Sequence, residues 1–357
     1  MKSLLLLLCA GVVLGCPAVA QLRPVHTFSI VARDPQTGEM GVAVQSHWFS
    51  VGSGVPWAEA GVGAVATQSF IDPSYGKLGL DLMRAGKSAR DALRALLMGD
   101  HGRDVRQVAM IDAQGGAAAW TGAKDIQAAG HVVGGEAPSE EIEGARTPLG
   151  MFGKLGFGKD FSVQANLMLN EKVWPAMAEA YRKANGDLAD RMLAALDAAQ
   201  AVGGDIRGRQ SAALVVVSAK NTGRPWVDRI FDLRVDDSPE PLKELRRLVA
   251  LQRAYNHMNA GDAAVERKDN EGALREYSAA EEIASKTEGV LPSRLAEMMY
   301  WHAVALVNMG RVGESLPLFK KAFTIDKHWA ELTPRLPQSE LLPNDPKLID
   351  QIVAQAK

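Results

Sequence analysis

The sequence predicts an α+β protein, a four-layer αββα sandwich followed by an all-α domain of paired helices. Three observations carry this expectation. Strand-like runs come in pairs, each pair joined by a short turn, as far as residue 240. Pairs of amphipathic helical runs separate them, enough to cover both outer faces of two stacked antiparallel sheets. Beyond 240 the strand signal stops and helical periodicity takes over.

The first strand pair is 27–33 and 40–46, with Asp34-Pro35-Gln36-Thr37-Gly38 between them. Pro35 presets φ and Gly38 accepts a positive φ, so the pair reads as a hairpin. A third strand fits 61–68, "GVGAVATQ", whose small residues suggest close backbone packing. A helix then runs from Tyr75 to Arg84 and stops at Gly86. Ser88 caps the next, in which Ala92, Leu93, Leu96 and Leu97 share one face. Residues 106–122 form a second hairpin around Gln114-Gly115-Gly116. The stretch 132–161 is rich in Gly, Pro and Glu and has no period, and it reads as a surface insertion such as a lid. A strand resumes over 161–169, helices follow over about 171–184 and 187–201, and strands 209–218 and 226–237 close the pattern.

From 241 to the end, two segments superpose. "AGDAAVERKDNEGALREYSAA" (260–280) and "HAVALVNMGRVGESLPLFKKA" (302–322) match Gly261 with Ala303, Ala264 with Leu306, Ala273 with Ser315, Tyr277 with Phe319 and Ala280 with Ala322, 42 residues apart. That spacing suits a tetratricopeptide (TPR) period of about 34 residues with a longer loop at "SKTEGVLPS". A plain helical bundle is the alternative. Repeats of this kind bind a protein partner or a second copy more often than they do chemistry.

The 357 residues exceed one typical core, and a net charge of −2 argues against a nucleic-acid partner. Lys2, the apolar run Leu4–Leu14 and Ala18-Val19-Ala20 read as a signal peptide over 1–20, giving a periplasmic or secreted protein. Gln21 to His26 would then precede Thr27 as a propeptide. The alternative is a lipoprotein anchored through Cys16. Cys9 and Cys16, the only two cysteines, both fall in this leader, so the mature chain is expected to have neither disulfide nor thiol chemistry. Its seven His residues show no metal-ligand spacing, no phosphate-cradling loop appears, and neither metal nor cofactor is expected. No later stretch is apolar enough for a transmembrane segment.

Thr27 raises the question of chemistry. Within a chain it is a β-branched strand residue. As a first residue it carries its own base, an α-amine of unperturbed pKa about 7.7–8.0 tethered beside its hydroxyl. "HTFSIVARDPQTGEMGVAVQSHWFSVGSGVPWAEAGVGAVATQS", "GGDIRGRQSAALVVVS" and "DLRVDD" closely resemble the bacterial and archaeal domain-of-unknown-function family 1028. The resemblance runs from 27 to about 248. It implies membership of the N-terminal-nucleophile (Ntn) hydrolase-like superfamily, and so an Ntn-hydrolase-like αββα sandwich over 27–240. It implies no substrate.

By analogy with that superfamily Thr27 would be nucleophile and base. Ser46 and His47, ending the second strand, would lie beside it. Relatives often have Ser-Lys at these two positions, and His47 replaces the lysine whose charge would activate the threonine. Thr67 and Gln68 would supply oxyanion donors with Ser69 next to them at the substrate, and Asn166 is a further amide candidate. Arg207, Arg209, Gln210 and Ser211 would bind a substrate carboxylate. The implied activity is exported Thr amidohydrolysis of an amide or peptide-like substrate. The alternative is a catalytically inactive Ntn-fold scaffold that binds through its TPR-like repeats.

Overall fold

The structure, a computed structural model, describes residues 27–135 and 153–357. The expected signal peptide and propeptide, Cys9, Cys16 and the centre of the expected lid lie outside the described residues. Strands β1 (Thr27–Arg33) and β2 (Met40–Ser46) form the first hairpin. Strands β3 (Pro56–Glu59) and β4 (Gly63–Ser69) form the next, followed by helices α1 (Ser74–Arg84) and α2 (Ala89–Gly99). Ser88 caps α2, its hydroxyl accepting from Asp91 N at 3.1 Å. Strands β5 (Arg106–Asp112), β6 (Gly116–Gly122), β7 (Gly130–Val133), β8 (Gly153–Lys159) and β9 (Phe161–Ala165) lead to helices α3 (Val173–Lys183) and α4 (Leu188–Ala201). Strand β10 (Ser211–Val217), the single turn α5 (Pro225–Asp228) and strand β11 (Arg229–Val235) complete the sandwich.

Two antiparallel sheets result. The first has the order β11-β10-β2-β1-β9-β7 and the second β3-β4-β5-β6-β8. Strand alternation divides the core into layers. Phe28, Ile30 and Val163 pack outward under α3 and α4, whereas Val31, Val42, Val44 and Ile111 face between the sheets. Val65, Val108 and Trp120 pack under α1 and α2. These layers make the four-layer αββα sandwich. Each buried Val or Leu contributes about 1.5–3 kcal/mol, so register is held on both faces of each sheet.

Three sequence expectations need correction. The described ends of 132–161 are not a lid. Residues 130–133 and 153–159 are β7 and β8, which extend the first and second sheets respectively. The glycines of β8 reflect contact rather than looseness: a Cβ at Gly156 would lie 2.7 Å from His131 Nε2 and 2.9 Å from Val133 Cγ2. The strand expected over 161–169 stops at Ala165, since Leu167 takes φ 57°. Residues 226–228 belong to α5, opened by Pro225 at its first turn, and the strand begins only at Arg229.

The rest of the chain is helical: α6 (Pro241–Glu266), α7 (Asn270–Lys286), α8 (Pro292–Asn308), α9 (Val312–Ile325), α10 (His328–Leu332) and α11 (Pro346–Val353). All ten superposed positions are buried in the α6–α7 and α8–α9 hairpins. Gly261 lets α6 and α7 close up, because a Cβ there would sit 2.7 Å from the Tyr277 ring. The 26-residue α6 spans both halves of the molecule. Leu242, Leu245 and Val249 join the sandwich core, and Ala254, Met258 and Ala264 the helical one. Among the described residues no helix is long and apolar enough to cross a membrane.

Candidate functional site

At the end of the sandwich where β1 begins, the layer between the sheets turns from apolar to polar. Thr27, Ser29, Ser46, Gln68, Gln107, Ser162, Gln164, Asn166 and Ser211 are fully buried there, with Thr121 and His131 nearly so. Thr27, Ser46 and Ser211 stand opposite one another on neighbouring strands β1, β2 and β10. Opposed residues of an antiparallel pair present the same face, so three hydroxyl side chains line one row.

The carbonyl of Thr27 accepts twice, from Asn166 N and from the Gln68 side-chain amide, both at 3.1 Å. Gln68 also donates to Gln107 Oε1 at 2.6 Å, and its own oxygen accepts from the Ser29 hydroxyl at 2.6 Å. Gln164 donates to Ser29 Oγ at 2.6 Å and accepts from Ser162 at 3.1 Å. Gln107 accepts from Asn166 Nδ2 at 2.9 Å and donates to Ala165 O at 2.9 Å and Thr121 Oγ1 at 3.0 Å. Thr121 meets His131 Nδ1 at 2.8 Å. A buried network of hydrogen bonds ties these side chains together, and it pins the first residue of β1. Burial holds His131 down to about 4, with Lys154 adding repulsion, so the ring is neutral near pH 7.

His47 follows Ser46 directly at the end of β2. Its backbone N–H donates to Asp205 Oδ2 at 3.2 Å. Asp205 is clasped by Arg207, whose Nε and Nη2 donate at 3.0 and 2.7 Å. The Nδ1 of His47 is buried with no hydrogen-bond partner among the described residues.

The structure therefore brings Thr27, Ser46, Gln68, Asn166 and Ser211 to one end of the sandwich, with His47 next in the chain after Ser46 and Arg207 linked to its backbone through Asp205. Thr67, Ser69, Arg209 and Gln210 lie elsewhere, and Ser211, although in the row, is taken up by the loop after β2. Thr67 and Ser69 alternate with Gln68 and so face away from the inter-sheet layer. The Thr67 hydroxyl donates to Asp72 O at 3.2 Å. Ser69 faces the buried Asp125 carboxyl, which burial pushes up to about 7. Arg209 pairs with Glu240 at 2.6 Å and Gln210 with Asp237 at 3.2 Å, so the arginine and amide expected at a substrate tie the strand entrance to the residues leading into α6. Ser211 donates to Trp48 O and accepts from Val51 N at 3.1 Å, which secures the loop after β2. Gln68, expected as an oxyanion donor, is spent on Thr27 O and Gln107.

The same fold elements carry the family signature. The model of a family of unknown function, DUF1028, matches residues 27–140 and 142–245. The chain belongs to the DUF1028 family. A crystal structure of another DUF1028 protein, SPO2555 from Silicibacter pomeroyi, is similar at 29% identity and TM-score 0.48, over 62% of this chain and 87% of that one. None of the curated proteins matches. The DUF1028 match begins at Thr27 and ends within α6. It therefore covers the polar end of the sandwich and omits the helical hairpins.

Ser29, Gln107, Thr121, His131, Gln164 and Asp205 were not among the expected site residues. Their signal is a polar residue at every second strand position, as in Ser162-Val163-Gln164-Ala165-Asn166. On an otherwise apolar strand face that pattern marks a buried polar layer.

Proposed function

We propose that the sandwich is an exported Ntn-type amidohydrolase whose nucleophile is Thr27. The observation that carries the reading is the placement of Thr27: it opens β1 at the polar end, its carbonyl held by Asn166 and Gln68. Removal of the chain ahead of it would free an α-amine two bonds from the carbon bearing Oγ1. The amine takes the hydroxyl proton as Oγ1 attacks an amide carbon, and the proton passes to the leaving amine. Water then hydrolyses the resulting ester. His47, in the role the resemblance gives to a lysine, stands one residue beyond the Ser46 partner of Thr27. The substrate class is an amide or peptide-like compound outside the cytoplasm.

The second reading is a silent Ntn-fold scaffold that uses its TPR-like helices for a partner. It is favoured by one observation, that the Gln68 amide is already engaged by Thr27 and Gln107 rather than aimed at an oxyanion. Screening the processed protein and its Thr27→Ala variant against an amide library separates the two. Hydrolysis lost in the variant supports the enzyme, no turnover by either supports the scaffold, and equal turnover by both removes Thr27 as the nucleophile.

A further inference from the structure

A cavity outside the sandwich lies among α6, α7 and α8. Its volume is about 490 Å³, within the range that holds a small organic ligand. Tyr255, Tyr277 and Trp301 supply aromatic wall, Met258 and Met298 apolar floor. Two carboxylates enter the same space. Asp262 accepts from Tyr277 Oη at 2.7 Å, and Glu297 accepts from Tyr255 Oη at 2.7 Å. No Lys, Arg or His lines the cavity. Arg294 of α8, half exposed, lies 3.9 Å from Glu297 and also acts on Tyr255. Two acids against one half-exposed cation, within aromatic and methionine walls, leave the space net negative and apolar together.

We infer that this cavity binds an organic cation, a primary ammonium on an apolar stem. Each part of the ligand has a counterpart. The ammonium has three donors for the free lone pairs of Asp262 and Glu297. The Tyr255 and Trp301 rings attract the same charge, the Tyr277 ring being stacked on His302 at 5.2 Å, and the methionines take the stem. A carboxylate or phosphate ligand would meet repulsion from both acids. Such a cation reaches the cavity either as a free alkylamine or as a lysine side chain on an extended peptide. The inference is independent of Thr27, since the cavity and the sandwich site share no residue.

Calorimetric titration of the full chain near neutral pH and low salt tests it, with n-hexylammonium as probe and n-hexanol and hexanoate as neutral and anionic counterparts. The expected result is saturable binding of the ammonium at least about tenfold tighter than the alcohol, and none of hexanoate. The double variant Asp262→Asn, Glu297→Gln keeps both tyrosine hydrogen bonds and should erase the preference while leaving the melting temperature close to the parent's. Ala305→Phe fills the cavity without changing its charge and should abolish binding of either probe. Nα-acetyl-lysine methylamide binding tighter than hexylammonium assigns the cation to a peptide, and the reverse order to a free amine. Equal affinity for ammonium and alcohol, no binding of the ammonium, or unchanged preference in the folded double variant overturns the inference.

Discussion

The side-chain amide of Gln68 donates to the backbone carbonyl of Thr27, 3.1 Å away, reaching from one sheet of the sandwich to the other. The contact couples the start of β1 to the amide network beneath it. Gln68→Ala would strip a partner from Ser29, Gln107 and the Thr27 carbonyl at once. Each buried polar group left unsatisfied costs about 1–3 kcal/mol, so a total loss of about 2–4 kcal/mol is expected after partial relaxation. Chemical denaturation should show it as a lower midpoint at unchanged slope.

Two buried groups predict opposite pH dependences. Asp125 is held up to about 7 by burial, so between roughly pH 4 and 7 the folded chain keeps a proton that the unfolded chain has lost. Its stability contribution is complete at low pH and drains away as pH rises through that window. His131 is held down to about 4, so below its unfolded value of about 6.5 the unfolded chain binds a proton the folded one refuses. Its contribution is complete above that value and is lost as pH falls toward 4. The parent should therefore show a nearly flat profile from pH 4.5 to 6.5. Asp125→Asn should expose a rising slope of up to about 1.4 kcal/mol per pH unit, and His131→Asn a falling one. Equilibrium unfolding across that range checks both signs.

The glycine-rich strand β8 makes a steric prediction. Gly156→Val would drive a side chain into His131 and Val133, at a cost of about 1–3 kcal/mol or more. Gly99→Ala, in α2 with open space around it, should be neutral or stabilise by up to about 1 kcal/mol. Thermal melts of the two variants should move in opposite directions or differ clearly in size.

These elements also show how far the sequence could be read. β1, β2, β5 and β10 were legible because Val, Ile and Ala repeat every second residue under helices whose own period is clear. β8 was not, because the same Gly residues that signal a loop also permit contact with His131 and Val133. β3 escaped notice because "PWAE" is short and opens on proline. That Thr27, Ser46, Gln68 and Asn166 come to one end of the sandwich was legible, since each lies at or next to a strand end. Thr67 and Ser69 were grouped with Gln68 by adjacency, although a strand sends neighbours to opposite faces. Ser29, Gln107 and Gln164 were missed because a lone polar residue in a strand has no partner until the sheets are stacked. The salt bridge of Arg209 with Glu240, 31 positions apart, likewise exists only after β11 has folded back.

For catalysis, Thr27→Ala removes Oγ1 and should abolish amide hydrolysis. Thr27→Ser keeps a hydroxyl and should retain part of it. Both variants should melt within a few degrees of the parent, since the carbonyl bonded by Asn166 and Gln68 is unchanged in either. Turnover and melting curves measured side by side separate loss of the nucleophile from loss of the fold.

Sequencing the N-terminus of the chain purified from its native cell tests the central claim most directly. The account predicts threonine as the first residue, at position 27. A mature chain that starts at Gln21, or that still carries His26 bonded to the threonine, contradicts it.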